Sequence, residues 1–508
     1  MLSSVLLIAR HFGARDPPRP WETLLRKRTS LLTAALLASG LTPVALAAPA
    51  SAAPSGLQGD FNGDGYRDVA VAAPFATVGG SAEAGQVAVV YGTASGLNPA
   101  KHQLISQNTA GIPGDAEKGD QFGDRIATAD LNRDGYSDLV VGAQHENAGS
   151  VQEAGTVVIV WGSRSGLSGG TTVKNPQTLY GSYFGMSIAA ADFTGDGKPD
   201  LAISAQSDTE NPSSWRVRLI RGPFGKSGST GRVSSYSPGI DRPALTAGRV
   251  SGDTKADLVV TGQKPNGDHL ATAVYYKGTA DGISKAASLR TAETAAIGDL
   301  NKDGFGDIVL GNPEDPADEP SASTGGKIHV IYGTSSGPSA TRRVSITQNT
   351  SGVPDSSEEL DGFGRALAIG DFDKDGYGDL AVGAPGETFG DDSDYRSSAG
   401  AITLLRGSAS GLSTTRPVFL TQDSPGVPGT LEAGDDFGGT LLASDVNRDG
   451  HADLTAAAVG ENDPEGAVWF LPGASSTLYS TTASTTFGPT ALGLPARKYT
   501  DFGDEFAG

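Results

Sequence analysis

The sequence predicts an all-β fold: a seven-bladed β-propeller of four-stranded antiparallel blades, closed by pairing of its N- and C-terminal segments. Three observations carry that reading. An acidic nine-residue motif recurs seven times along the 508 residues, a strand-like run ending in Gly recurs once in each period, and the last residues hold a half-motif that the first repeat lacks. A fixed period decides a fold before any single element does. Composition agrees, with 71 Gly and 29 Pro, abundant Thr, Val and Asp, and few Lys, Glu or Met, a balance that favours strands and turns over helices.

The acidic motif begins as DFNGDGYRD at Asp60 and returns as DLNRDGYSD at Asp130, DFTGDGKPD at Asp192, DLNKDGFGD at Asp299, DFDKDGYGD at Asp371 and DVNRDGHAD at Asp445. A decayed copy, RVSGDTKAD, starts at Arg249 and keeps only Asp253 and Asp257. Successive starts lie 70, 62, 57, 50, 72 and 74 residues apart. The second marker reads VVYGTASGL around Gly92 and VIVWGSRSGL around Gly162, and continues at Gly222, Gly278, Gly333, Gly407 and Gly473. A third, Phe-Gly, lies eight residues ahead of the first Asp, at Phe122, Phe184, Phe363 and Phe437.

Each repeat reads as four short strands. In the second repeat these are RIATAD, DLVVGA after the acidic turn, GTVVIVWG after a long polar loop, and a short strand near residues 177–179. Short β-branched runs bounded by Gly, Asn and Asp are strands. Units of four, repeated this often, form propeller blades, and closing the ring removes the exposed sheet edges. The first repeat has no Phe-Gly ahead of Asp60, whereas the chain ends FGDEFAG from Phe502. Joined to Gly59 and Asp60, that ending reads FGDEFAGGD, spaced like FGDRIATAD of the second repeat. The C-terminal strand is therefore expected to complete the first blade.

The first 52 residues read as an export signal. Arg26, Lys27 and Arg28 precede an apolar run over residues 31–46, followed by Ala50-Ser51-Ala52, a small-x-small cleavage signature. Cleavage after Ala52 leaves residues 53–508 as the propeller, secreted and extracellular. A membrane anchor is the alternative reading, but the run is short and broken by Gly40 and Pro43. With no Cys there are no disulfides, thiolate metal sites or Cys nucleophile. The whole chain carries a formal charge of −20, and residues 53–508 carry −24, a sign that argues against nucleic acid and anionic membrane surfaces as partners.

Most of that acidity has a chemical explanation. Oxygens at positions 1, 3 and 5 converge where a Gly at position 6 lets the chain turn sharply, a carbonyl at position 7 and a carboxylate at position 9 complete the shell, and six or seven oxygens suit calcium better than magnesium. About six structural Ca2+ sites follow. The ligand positions are Asp60, Asn62, Asp64, Tyr66 and Asp68; Asp130, Asn132, Asp134, Tyr136 and Asp138; Asp192, Thr194, Asp196, Lys198 and Asp200; Asp299, Asn301, Asp303, Phe305 and Asp307; Asp371, Asp373, Asp375, Tyr377 and Asp379; Asp445, Asn447, Asp449, His451 and Asp453. The residues at position 7 (Tyr66, Tyr136, Lys198, Phe305, Tyr377 and His451) serve through their carbonyl oxygens. The 19 Asp in these sets bring the charge of residues 53–508 from −24 to −5 when removed, so the acidity says little about a partner. In the decayed copy Arg249 and Thr254 replace the first Asp and the Gly, and the Arg249 guanidinium is expected to pair with Asp253 or Asp257 in place of a cation.

These residues resemble the FG-GAP repeats of integrin α-subunit propellers and of secreted bacterial integrin-like proteins. The resemblance covers roughly residues 57–508 and rests on the Phe-Gly, the acidic turn, and the Gly383-Ala384-Pro385 that follows it, with Ala72-Ala73-Pro74 as a variant. It implies seven blades, structural calcium in several turns, and an adhesion or ligand-binding role. Glycosylphosphatidylinositol phospholipase D carries similar repeats behind a zinc-dependent catalytic domain, and nothing here corresponds to that domain.

In an up-down meander the acidic turns and the Gly-rich turns share one face, and the long loops share the other. Those loops are roughly 107–121, 144–154, 206–214, 312–325, 348–362, 386–399 and 422–436. Three echo one another, QNTAGIPGD from Gln107, QNTSGVPDS from Gln348 and QDSPGVPGT from Gln422. Long loops on a rigid scaffold are where binding usually resides; Phe389 and Tyr395 are the candidate contacts. The five His of residues 53–508 are not spaced as metal ligands, and Gly162-Ser163 lies in a Gly-rich turn, so no catalytic residues are assigned. The sequence thus reads as a monomeric, secreted, calcium-binding, non-catalytic adhesion or ligand-binding module for an extracellular protein or surface glycan. The alternative is a hydrolase-type or lectin-like propeller acting on glycans or phosphodiesters.

Overall fold

In a computed structural model, residues 55–508 are described, except 209–210, 212–213, 266–269, 317–320, 391–394, 463–464 and 496–499. The expected export signal and its cleavage point lie outside the described residues.

Seven antiparallel four-stranded sheets follow one another along the chain. In the second blade the strands are Arg125–Ala129, Asp138–Ala143, Thr156–Val160 and Gly170–Thr172, paired in that order. The first strands of neighbouring blades lie side by side in ring order and so line the centre. Second strands such as Asp138–Ala143 and Asp379–Ala384 are buried at every position, because both faces of the sheet are covered by the adjacent blades. This is why they read as unbroken apolar runs. The side chains between the first two blades show the arrangement: Ala70, Val87 and Val89 of one pack on Phe122, Ile126, Leu139 and Val160 of the next in a single buried cluster. Outer strands such as Gly96–Ile105 face solvent along part of their length.

The closure expected from sequence is present. Phe506–Ala507 pairs antiparallel with Val69–Ala73 and supplies the innermost strand of the first blade, whose order is completed by Gln86–Thr93 and Gly96–Ile105. Gly503 donates its N–H to Ala72 O at 2.9 Å, the same bond that Gly123 makes to Gly142 O, Gly364 to Gly383 O and Gly438 to Ala457 O. The C-terminal Phe502-Gly503 therefore occupies the seat of every other Phe-Gly, and Phe502, like Phe122, Phe184, Phe363 and Phe437, is fully buried. Gly59, at φ +83°, lies against the chain end; a Cβ there would stand 2.3 Å from Gly508 C.

One strand differs from expectation. The fourth strand of the second blade is Gly170–Thr172, directly after the Gly-rich turn, and not near residues 177–179. A tight turn returns the chain beside Val158–Val160 at once. Gln177 instead crosses to the third blade, where its Oε1 accepts from Arg218 Nη2 at 2.7 Å.

Candidate metal centres

Each acidic turn joins the first and second strands of a blade. In all six intact copies one oxygen of the position 1 Asp accepts the N–H of the position 6 Gly: Gly65 to Asp60 at 2.7 Å, Gly135 to Asp130 at 2.9 Å, Gly197 to Asp192 at 2.8 Å, Gly304 to Asp299 at 2.8 Å, Gly376 to Asp371 at 2.9 Å and Gly450 to Asp445 at 3.1 Å. The position 5 Asp accepts the N–H of position 7 in each, as in Tyr66 to Asp64 at 3.0 Å, Lys198 to Asp196 at 3.1 Å and His451 to Asp449 at 2.8 Å. The same holds for Tyr136, Phe305 and Tyr377. Gly at position 6 is needed because φ there runs from +78° at Gly197 to +93° at Gly65.

These bonds seat the position 1 and position 5 carboxylates of each turn on N–H groups of the chain that bends around them. Asn62, Asn132 and Asn301 also accept the position 5 N–H, and Asn447 accepts it from Asp449. Thr194 offers a hydroxyl beside Asp192 at 3.5 Å. In the sixth blade, carboxylate oxygens of Asp371, Asp373 and Asp375 lie within 4.8 Å of one another. Asp373 Oδ1 and Asp445 Oδ1 are buried acceptors with no donor. An all-oxygen set with orphaned carboxylate oxygens fits a calcium ion, and these residues could hold one.

Position 9 has a role that the sequence did not disclose. Asp68, Asp138, Asp307, Asp379 and Asp453 are fully buried, and each takes one N–H from position 2 of its own turn and one from the Gly that ends the third strand. For Asp68 these are Phe61 N at 2.9 Å and Gly92 N at 3.0 Å; for Asp379, Phe372 N at 3.0 Å and Gly407 N at 2.9 Å. The carboxylate ties the two turns of a blade together. Burial pushes these groups up against the pull of the N–H donors: Asp68 to about 8, Asp138, Asp379 and Asp453 to about 7, and Asp200 and Asp307 to about 6. A divalent cation beside them would hold them ionised.

The decayed fourth turn explains itself in these terms. Asp257 keeps the position 9 task, accepting from Val250 N at 3.0 Å, Ser251 N at 2.9 Å and Gly278 N at 2.9 Å. The cations beside Asp253 are Lys255 at 3.6 Å and Lys277 at 3.9 Å. Arg249 pairs with neither Asp253 nor Asp257, contrary to expectation; its carbonyl instead accepts Gly306 N from the next blade at 2.8 Å. Lysines two residues on and across the sheet reach the carboxylate from the solvent side, whereas Arg249 sits at the seam.

That seam recurs at other junctions. The position 1 carbonyl of one turn accepts an N–H from the following blade in Ser137 to Asp60 at 3.0 Å, Ala256 to Asp192 at 2.8 Å, Gly378 to Asp299 at 2.9 Å and Ala452 to Asp371 at 2.9 Å. Basic residues at position 4 add to it. Lys302 Nζ donates to Asp375 O at 3.4 Å and Lys374 Nζ to Asp449 O, both from left-handed backbone. Neighbouring acidic turns are thus bonded between blades one and two and from blade three through blade seven.

On the other face the echoing loops carry a device that the sequence reading missed. Gln107, Gln348 and Gln422 are buried, and each donates its amide to a glutamate 39 residues on in the next blade, Glu146, Glu387 and Glu461. The shared Gln and the equal spacing were the available signal. Of the candidate contacts, Tyr395 is 65% exposed. Phe389 is packed, its ring 6.3 Å from Phe419 and its backbone bridged to Arg396. Trp161, Trp215 and Trp469 are all buried. Ser163 Oγ is spent on Gly166 O at 2.7 Å, a turn bond.

The repeat families that match the chain agree with this geometry. The FG-GAP repeat family matches residues 52–90, 184–236, 291–331 and 363–405, and the FG-GAP-like repeat matches 130–203. The phosphatidylinositol-glycan-specific phospholipase D of Rattus norvegicus is 34% identical over 149 residues, 29% of this chain and 17% of that protein. Integrin alpha-IIb of Mus musculus is 36% identical over 153 residues, 29% of this chain and 14% of that protein. The chain spans less than a fifth of the length of these relatives. A solved structure, the V. cholerae biofilm matrix protein Bap1, aligns over 86% of this chain and 90% of its own at 10% identity, with a TM-score of 0.29. The fold and its turns define a β-propeller built of FG-GAP repeats. Among such propellers, this chain is an integrin-like one.

Proposed function

We propose that this propeller is a secreted, calcium-stabilised module that binds an extracellular protein or surface glycan through its long-loop face and has no catalysis of its own. The observation that carries the reading is the division of labour between faces. Six acidic turns, most of them bonded to the next blade, occupy one face, and loops of 9–15 residues stand on the other, around the dozen or so residues that mark functional loops. Calcium in the turns would fix the ring, and the ring would fix the loops. The similarity to integrin α-subunits supports the role, cleavage after Ala52 would deliver the chain outside the cell, and the module is proposed to act as a monomer. Among the described residues no helix is long and apolar enough to cross a membrane.

The second reading, a hydrolase or lectin acting on phosphodiesters or glycans, draws on the phospholipase D relative. Against it stand the buried tryptophans and the structural engagement of His102 with Pro99 O, His329 with Ser345 and His451 with Asp449 and Ser475. The test is binding of the labelled chain to cell-envelope, glycan and matrix-protein surfaces in calcium and in excess chelator. Saturable binding that is lost with chelator and with substitutions in loops 348–362 or 386–399 supports the first reading. Binding indifferent to both sinks it, and turnover of a phosphodiester or glycan by the same preparation establishes the second.

A further inference from the structure

The junction of the fifth and sixth blades on the loop face gathers acceptor oxygens that nothing neutralises. Asp361 and Glu387 are buried to 1% exposure and Gln348 to 2%, and Glu358 stands exposed at the rim. One carboxylate oxygen from each of Glu358, Asp361 and Glu387 lies within 4.8 Å of the others. Gln348 is turned by its amide nitrogen, which donates to Glu387 Oε2 at 2.6 Å, and its Oε1 is left buried with no donor.

Gly325, at φ +71°, borders the space that this orphaned oxygen faces. A Cβ on Gly325 would lie 3.1 Å from Gln348 Oε1, 2.9 Å from Asp361 Oδ2 and 2.6 Å from Glu358 O. Amide, carboxylate and carbonyl oxygens therefore face one small space that a side chain would fill. Among the described residues no Lys, Arg or His pairs with the three carboxylates. Three carboxylates drawn together without a cation repel one another at low dielectric. The backbone nevertheless holds them there: Glu358 N donates to Asp361 Oδ2 at 2.7 Å, and Asp315 takes Gly325 N and Leu360 N, each at 2.8 Å.

We infer that this cluster is a divalent-cation site of a second kind, taking calcium through Gln348 Oε1 and the carboxylates of Glu358, Asp361 and Glu387. All are hard oxygen donors, which select calcium over softer metals. The site differs from the acidic turns in place and build. It joins two loops of successive blades rather than two strands of one, and exposed Glu358 leaves its outer side open to solvent. The framework is repeated: Glu117 N to Asp120 Oδ2 at 2.6 Å with Gln107, and Glu432 N to Asp435 Oδ2 at 3.0 Å with Gln422, whose Oε1 atoms are likewise orphaned. Only the copy at Gln348 brings three carboxylates within 4.8 Å. Metal binding at this site does not depend on whether the loop face binds a partner.

The test is calcium content after equilibrium dialysis of the full chain, with calcium as the sole probe, read by elemental analysis. Asp361→Asn with Glu387→Gln is expected to lose one equivalent relative to the parent chain. Glu358→Gln, at an exposed position that leaves the fold intact, is expected to weaken that same equivalent on the order of tenfold. Asp371→Asn with Asp375→Asn serves as a separate arm, removing an equivalent from an acidic turn. An unchanged calcium content in Glu358→Gln across the titration, and in the double variant where it folds, overturns the inference. Retention of every equivalent by the turn variant would instead count against calcium in the turns and leave the loop site standing.

Discussion

Asp257 keeps the tying bonds of a position 9 Asp in a turn that lacks the proposed metal ligands. Its turn has lost the Asp and Gly that a metal needs, yet it still bonds Val250 N, Ser251 N and Gly278 N. Asp257→Asn turns an amide NH2 toward buried N–H donors, and an unsatisfied buried donor costs about 1–3 kcal/mol. That loss is expected to be equal in calcium and in chelator, as measured by denaturant unfolding; a loss seen only in calcium would show that the fourth turn binds metal. His329 offers a pH prediction of the same scale. It is buried in Lys327–Ile331, its Nδ1 is 2.7 Å from Ser345 Oγ, and burial, with Lys327 and Arg290 nearby, pulls its pKa from 6.5 to about 4. Between about pH 4 and 6.5 the unfolded chain therefore binds more protons than the folded one. Stability is full above pH 6.5 and falls as pH drops through that window, by up to about 3 kcal/mol from this group. The variant His329→Gln should show a correspondingly shallower decline between pH 7 and 4; an identical slope would rule His329 out as the source.

At the scale of elements, the C-terminal strand is the closure of the ring. Phe502 is fully buried, Phe506 and Ala507 nearly so, and Glu505 O accepts Ala72 N at 3.0 Å. Deletion of residues 500–508 is expected to cost about 3–5 kcal/mol, the scale of losing a buried aromatic with its partners. Melting within a degree or two of the full chain would show that the first blade does not need it. Continuity of sequence pattern made this strand visible, because a half-motif at one end matched a gap at the other. The fourth strand of the second blade was not visible in the same way. Gly170, Thr171 and Thr172 have no apolar run, and their strand exists because the turn after Trp161 places them beside Val158–Val160. An edge strand needs one partner and little burial, so its sequence is weakly specified.

At the scale of the molecule, most acidic turns are bonded to the turn of the next blade, so calcium in one would stiffen its neighbours. Free calcium at about 100 times a site's Kd adds about 2.7 kcal/mol for that site. Chelation is therefore expected to lower the melting temperature by about 3 degrees for each loaded turn, and by about 15 degrees if all six are loaded. Asp371→Asn with Asp375→Asn should reduce the calcium-dependent gain by about 3 kcal/mol while leaving the chelated protein near its parent. Equal melting in calcium and chelator would remove calcium from the account of this fold.

Sequence alone determined the number of blades, their strand order, the closure and the positions of the acidic turns. These depend on local chemistry repeated in register: Asp and Asn at alternate positions, a Gly where the chain must turn left-handed, and apolar runs sized to a buried strand. Tertiary structure alone decided what those residues do beyond their own turn. The bond from each position 9 Asp to the Gly that ends the third strand, the reach of Lys277 to Asp253 and the meeting of Gln348 with Glu387 join segments 20–39 residues apart. Such pairings follow from the twist and spacing of packed sheets, which no stretch of sequence carries by itself.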